Sequence, residues 1–322
     1  MFLNILLIVI GFLCLIKGGD FLVDGATSIA RKAKLSEMVI GLTIVGFGTS
    51  APELLVSLQA ALVGSPGLAI GNVVGSNIAN IALILGVSAL IVPCPTDRKI
   101  VRIDAPFMVF SVLGFIAVAL SGTVSRLAGI VGFLILLIFV VWQIRDSRQQ
   151  QSSPDAVPLE ETTKQFSVLL SILMLIGGGV MLVLGANLLI DNASSIARSI
   201  GERMGTPAQE MERIIGLTIV AVGTSLPELF ASIMAAVKGK TDMAIGNIIG
   251  SVTFNILSVI GLSSAICPIV GSRDGFLIDY VVMGGFVLLL WIFLATNSKL
   301  ERWEGALLLS GYIAYIAYTL MA

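Results

Sequence analysis

The chain has 322 residues, of which 57% are hydrophobic and 12% charged, with a net charge of −1. With a mean hydropathy of +1.02, and about 20 apolar residues needed per spanning helix, this is the composition of a polytopic membrane protein; its charge gives no basis for nucleic-acid binding. Histidine is absent, which excludes Ser-His and Cys-His nucleophile pairs and His-containing metal sites.

The N-terminus, Met1-Phe2-Leu3-Asn4, lacks a basic segment before its apolar run and reads as a first spanning helix, not a cleaved signal peptide. Apolar runs between charged or Gly/Pro-rich breaks then predict ten spans, near 2–29, 36–63, 69–92, 104–121, 125–143, 166–198, 211–237, 243–269, 276–296 and 303–320. With the N-terminus outside, inward loops hold 13 Lys and Arg residues and outward loops 5, while Lys17 lies inside the first span. The positive-inside rule therefore predicts both termini outside, which requires an even number of spans. Cys14, Cys94 and Cys267 show no paired spacing and read as apolar filler or span-end residues. Asp24 and Asp191 are expected to be solvated or capping, and Lys17 to snorkel or to pair with Asp20.

Residues 144–165, rich in Arg, Gln and Ser, read as a cytoplasmic linker between a first five-helix unit, 1–143, and a second, 166–322. The two units are copies. Ile40–Ile91 aligns without gaps to Ile215–Ile266 at an offset of 175, with 27 of 52 positions identical. Upstream, Asp24–Arg31 matches Asp191–Arg198. Five spans per copy place the second upside down. The expected fold is thus an all-α membrane protein of ten transmembrane helices in two inverted-topology repeats, an architecture of secondary transporters with a site between the repeats.

Each copy carries an anomaly: Gly48-Thr49-Ser50-Ala51-Pro52-Glu53, and Gly223-Thr224-Ser225-Leu226-Pro227-Glu228. A carboxylate at the centre of a bilayer costs roughly 2.5–3.5 kcal/mol even on the lenient insertion scale. Proline removes a helical hydrogen bond and displaces the carbonyl four residues earlier, and glycines 46 and 48 weaken the helix further; Ala221 and Gly223 are their counterparts. Carbonyls freed in this way are tolerated in a membrane only where they face protein or a polar cavity. Glu53 shares a helical face with Thr49 and Ser50, as Glu228 does with Thr224 and Ser225, and each acid opens the half-helix after the break. The following spans add Gly71-Asn72, Gly75-Ser76 and Asn80, matched by Gly246-Asn247, Gly250-Ser251 and Asn255; Ser76 and Asn80 share a face, as do Ser251 and Asn255. Two carboxylates with hydroxyls and loose carbonyls form the flexible all-oxygen shell that Ca2+ takes, at 6–8 ligands, and that Na+ can share.

These motifs resemble the paired alpha-repeats of the sodium/calcium exchanger family within the cation/calcium exchanger superfamily. The resemblance spans nearly the whole chain, and the short linker is similar to that of prokaryotic members. It implies Glu53 and Glu228 as central calcium ligands with the carbonyls of Thr49 and Thr224. It further implies Ser50, Ser76, Ser225 and Ser251, with carbonyls near Gly46 and Ala221, as the lining of flanking sodium sites. Asn80 and Asn255 would supply side-chain oxygens or hold water, and spans one and six would slide together to alternate access. Some relatives, including potassium-dependent ones, carry aspartate where this chain has Asn80 or Asn255; two formal charges in place of three argue against obligatory potassium cotransport. The expected function is an antiporter of the prokaryotic cell membrane that exchanges Ca2+ for Na+ and works as a monomer. It has no cofactor and no enzymatic activity, and its partners are inorganic cations and the lipid bilayer. A Ca2+/H+ exchanger, a gated cation channel and, more distantly, an intramembrane hydrolase are the competing readings.

Overall fold

The computed structural model describes residues 2–64, 66–151, 166–205, 221–270, 272–273 and 275–321, together with positions 211, 215 and 219. The protein is almost entirely helical. In chain order the helices are α1 (Phe2–Ala33), α2 (Glu37–Thr49), α3 (Ala51–Leu62), α4 (Gly67–Ile91), α5 (Ile100–Ala119), α6 (Arg126–Gln151), α7 (Val168–Met204), α8 (Ala221–Thr224), α9 (Leu226–Val237), α10 (Thr241–Ile266), α11 (Leu277–Asn297) and α12 (Arg302–Met321). Among the described residues eight helices are long and apolar enough to cross a membrane, and nine if α2 and α3, bent by 46° at Ser50, form one broken span. The span expected at 211–237 lies partly outside the described residues; α8 and α9 are its described part.

Local chemistry sets the helix ends. Ser36 caps α2 by accepting from the Val39 amide, and Ser167 caps α7 by accepting from that of Leu170. Gly205 ends α7 in the left-handed conformation, φ 76°. The α3–α4 and α9–α10 turns both use a glycine at φ 75°, Gly64 and Gly239, which are repeat-related. Helices α6 and α7 outrun their expected ends, reaching Gln151 and Met204. Their polar tails, Arg145–Gln151 and Arg198–Met204, hold enough Arg, Gln, Glu and Met to continue a helix beyond the apolar stretch.

Helices α10 and α4 are the centre of the bundle. The best spanning window of α10 is 100% buried and that of α4 72%, against 22% for α1, α6, α7 and α12. The outer helices turn residues such as Leu127, Ile138, Leu169 and Ile313 outward, the arrangement that lipid requires. Helices α1 and α7 run antiparallel along each other. A Cβ on Gly18 would lie 2.9 Å from the Gly178 carbonyl oxygen, so only glycine permits the approach.

The two halves interlock by exchanging equivalent contacts. Gly86 of α4 packs on Gly305 of α12, and its counterpart Gly261 of α10 packs on Gly129 of α6. Outside the helices, Cys94–Pro95 (β1) pairs antiparallel with Lys299–Leu300 (β4), and Thr123–Val124 (β2) with Ile269–Val270 (β3). Each ladder joins one half to the other.

Charges near the helix ends depart from expectation. Asp20 and Asp24 both pair with Lys238 Nζ, at 2.5 Å each, so Asp20 does not take Lys17 and Asp24 is not simply solvated. Lys238 stands where its turn after α9 meets α1, a tertiary approach that local sequence does not show. All three cysteines are free, and burial, followed by the charge of Asp242, pushes the Cys94 thiol up to about 11. It stays protonated, as apolar filler does.

Candidate functional site

Both helix breaks have the same geometry. Ser50 lies at φ −86°, ψ 3° and Ser225 at φ −91°, ψ 4°, each between two helices of which the second carries proline in its first turn. Pro52 and Pro227 fit there because the first turn has no internal acceptor for their missing N–H groups. Glu53 and Glu228 therefore open α3 and α9, where the positive end of the helix dipole favours a carboxylate.

The side chains converge in the interior. Glu53 is 1% exposed and Glu228 0%. Neither forms an ion pair among the described residues. Ser50 Oγ donates to Glu228 Oε1 across the repeat boundary at 3.4 Å. Thr49 Oγ1 lies 3.4 Å from Asn247 Oδ1, 3.4 Å from Ser251 Oγ and 3.3 Å from the Gly46 carbonyl oxygen. Ser251 Oγ reaches that same carbonyl at 3.5 Å. The first hexapeptide is thus in direct contact with residues of the second copy.

Several oxygens of the group are buried and, among the described residues, have no hydrogen-bond partner: both of Glu53, Oε2 of Glu228, Oγ of Ser225 and Oδ1 of Asn80 and Asn255. A buried carboxylate with no partner is costly, and a hard cation accepting these oxygens removes that cost. The chemistry of the set fits such an ion: carboxylate, hydroxyl and amide oxygens, with no sulfur or imidazole.

Ser76 and Thr224 both line a cavity of about 450 Å³ that also takes in Asn72, Asp279, Tyr315 and Thr319. The Tyr315 hydroxyl donates to Asp279 Oδ1 there, at 2.8 Å. Ala221 is described only as the first residue of α8.

The structure gives roles to residues that the sequence reading named in the motifs without assigning them as ligands, and adds others. Asn72 Nδ2 donates to the Glu53 carbonyl at 3.3 Å and to Ser57 Oγ at 2.9 Å. Asn247 Nδ2 makes the same two bonds, to the Glu228 carbonyl at 3.4 Å and Ser232 Oγ at 2.9 Å. These amides tie each acid-bearing helix to the next one. Their signal was present, since asparagines 72 and 247 and serines 57 and 232 are all identical between the copies. Asn77, buried and bonded to Asn255, has no such signal because its counterpart is Val252. Wide π turns were also unforeseen: residues 79–85 in α4, which include Asn80, and residues 255–260 in α10, which begin at Asn255. Such turns loosen the carbonyl ladder and are frequent at functional sites.

Comparison with known proteins places the chain in a family. The sequence profile described as "Sodium/calcium exchanger protein" matches residues 3–145 and 170–321. The chain belongs to the sodium/calcium exchanger family. It is 32% identical over 350 residues to the sodium/calcium exchanger MaX1 of Methanosarcina acetivorans, covering 97% of each chain. It is 32% identical over 326 residues to the inner membrane protein YrbG of Escherichia coli, covering 98% of this chain and 97% of that one. The solved structure of the sodium-calcium exchanger NCX_Mj superposes with a TM-score of 0.81 at 31% identity, covering 99% of both chains. The family and the fold are those of cation/calcium exchangers, which are multi-span membrane transporters.

Proposed function

We propose that this exchanger moves Ca2+ against Na+ through one all-oxygen site at the membrane midplane. Glu53 and Glu228 are its central ligands, with the carbonyls of Thr49 and Thr224. Ser50, Ser76, Ser225, Ser251, Asn80 and Asn255 line it, together with carbonyls near Gly46 and Ala221. The observation that carries this reading is the group of buried, unpartnered oxygens centred on two carboxylates from opposite halves of the chain. A single chain supplies both halves, so the monomer is the functional unit. Relatives support the ion pair: MaX1 is named a sodium/calcium exchanger, and NCX_Mj structures come from soaks with Na+ and Sr2+ or with Na+ and Ca2+.

The finer architecture belongs to the same proposal: ten spans in two inverted repeats, residues 1–143 and 166–322, a cytoplasmic linker at 144–165, and both termini outside the cell membrane. The reciprocal contacts between equivalent positions of the two halves and the antiparallel α1 and α7 support it.

Coupling then follows from charge. Two ionised glutamates are neutralised by one Ca2+ or by Na+ ions, and either load lowers the cost of rearranging a buried site. The empty, doubly charged site crosses poorly, which ties the two fluxes together. Calcium uptake into vesicles, driven separately by imposed Na+, K+ and H+ gradients, tests this. The expected result is uptake that follows the Na+ gradient alone; uptake that follows H+ and ignores Na+ would assign a Ca2+/H+ exchanger, and flux without a counter-gradient a channel.

A further inference from the structure

Asn77 is a fully buried amide in α4, at a position where the copies disagree: its counterpart in α10 is Val252. Asn255 Nδ2 donates to Asn77 Oδ1 at 3.1 Å, and Asn77 Nδ2 lies 3.8 Å from Met283 Sδ of α11. Met283 is itself fully buried. A thioether sulfur accepts hydrogen bonds and never donates them, so it selects the nitrogen end of Asn77. The oxygen end of Asn77 must then face Asn255 and can receive only its NH2 group. That leaves Asn255 Oδ1 pointing away from Asn77, buried and without a hydrogen-bond partner. Reversing both amides would set an oxygen against the sulfur lone pairs and would put an NH2 group where Asn255 Oδ1 now lies.

Asn80, the repeat counterpart of Asn255, has no such arrangement. Both its Oδ1 and its Nδ2 are buried without a hydrogen-bond partner among the described residues, so none of those residues fixes the orientation of its amide.

We propose that Asn77 is a positioning residue that, backed by Met283, fixes the polarity of the Asn255 amide and so makes Asn255 a permanent oxygen ligand. Asn80 is by contrast an amide that no described residue orients. The proposal rests on the reading of Asn255 as a ligand. The site is thereby asymmetric in its amides although each copy supplies one acid.

The test is a double-mutant cycle on calcium uptake in vesicles, reading KM and maximal rate separately. Asn77→Val, which installs the residue of the other copy, is expected to raise the calcium KM about 3- to 10-fold, the worth of one oriented hydrogen bond, with the maximal rate little changed. In an Asn255→Ala background the same substitution should add nothing, while in an Asn80→Ala background it should retain its full effect. An Asn77→Val effect that persists undiminished beside Asn255→Ala, or an unchanged KM where Asn255→Ala alone raises it, overturns the positioning role. If Asn255→Ala itself leaves KM unchanged, the ligand reading at that position fails first and the positioning role with it. Met283→Leu keeps both amides and removes only the acceptor, so it serves if Asn77→Val does not reach the membrane. About a twofold rise in KM is expected for it, on the same hydrogen-bond reasoning, and no rise overturns the role assigned to the sulfur.

Discussion

Among the described residues, the two central helices have different surroundings at equivalent glycines. Helix α10 lies tightly on α2: a Cβ on Gly250 would fall 2.2 Å from the Leu42 carbonyl oxygen, and one on Gly246 2.7 Å from that of Met38. On the other copy the equivalents of Met38 and Leu42 lie outside the described residues; among the described residues a Cβ on Gly75 of α4 meets nothing within 4 Å, and one on Gly71 meets the ring of Phe276 at 3.6 Å. The cavity of about 450 Å³ opens there, reaching Ser76 and Thr224. Among the described residues the same glycine spacing thus forms a seam in one half and lines a cavity in the other.

The acids should be insensitive to that difference. Glu53→Gln and Glu228→Gln are each expected to lower sodium-driven calcium uptake on the order of a hundredfold or more, because either removes half of the charge that holds the divalent ion. Near-normal transport by one variant would mean that the two halves do not share one site.

The glycines should report the difference most directly. Gly250→Ala forces backbone apart and is expected to cost about 1–3 kcal/mol in thermal-unfolding stability, while Gly75→Ala should stay within about 0.5 kcal/mol of the parent. Equal losses would mean that the two contacts are equally tight. Accessibility gives an independent view of the same asymmetry. In a chain freed of Cys14, Cys94 and Cys267, Ser76→Cys at the cavity should react with a small charged thiol reagent roughly tenfold faster than Ser251→Cys, which is 0% exposed. Equal rates would place the opening elsewhere.

A smaller effect is expected from the one-sided ion pairs of Lys238, whose counterpart in the first copy is Val63. Lys238 is partly exposed, so Lys238→Met should shift stability by no more than about 1 kcal/mol and transport rate by less than about fivefold. A larger loss would make these pairs part of the moving machinery.

Much of this was legible in the sequence because the repeat acts as an internal control. Proline, hydroxyls and acid recur together at 48–53 and 223–228, so the breaks at Ser50 and Ser225 and the burial of both glutamates follow from residue chemistry. Asn72 and Asn247 were visible as identities, but that they hold the acid-bearing helices through Ser57 and Ser232 needs the helix packing. The Asn77–Asn255 bond breaks the repeat, since position 252 is valine, and pattern matching between copies cannot reveal what the copies do not share. Pairing of Asp20 and Asp24 with Lys238 joins residues some 214–218 positions apart, beyond any local rule.

Calcium binding to the purified protein, with Na+ as competitor, tests the central claim most directly. One calcium per chain, displaced cooperatively by Na+ and lost in both Glu53→Gln and Glu228→Gln, is the predicted result. Calcium binding that survives either substitution, or that Na+ does not displace, would contradict a single site shared between the two halves.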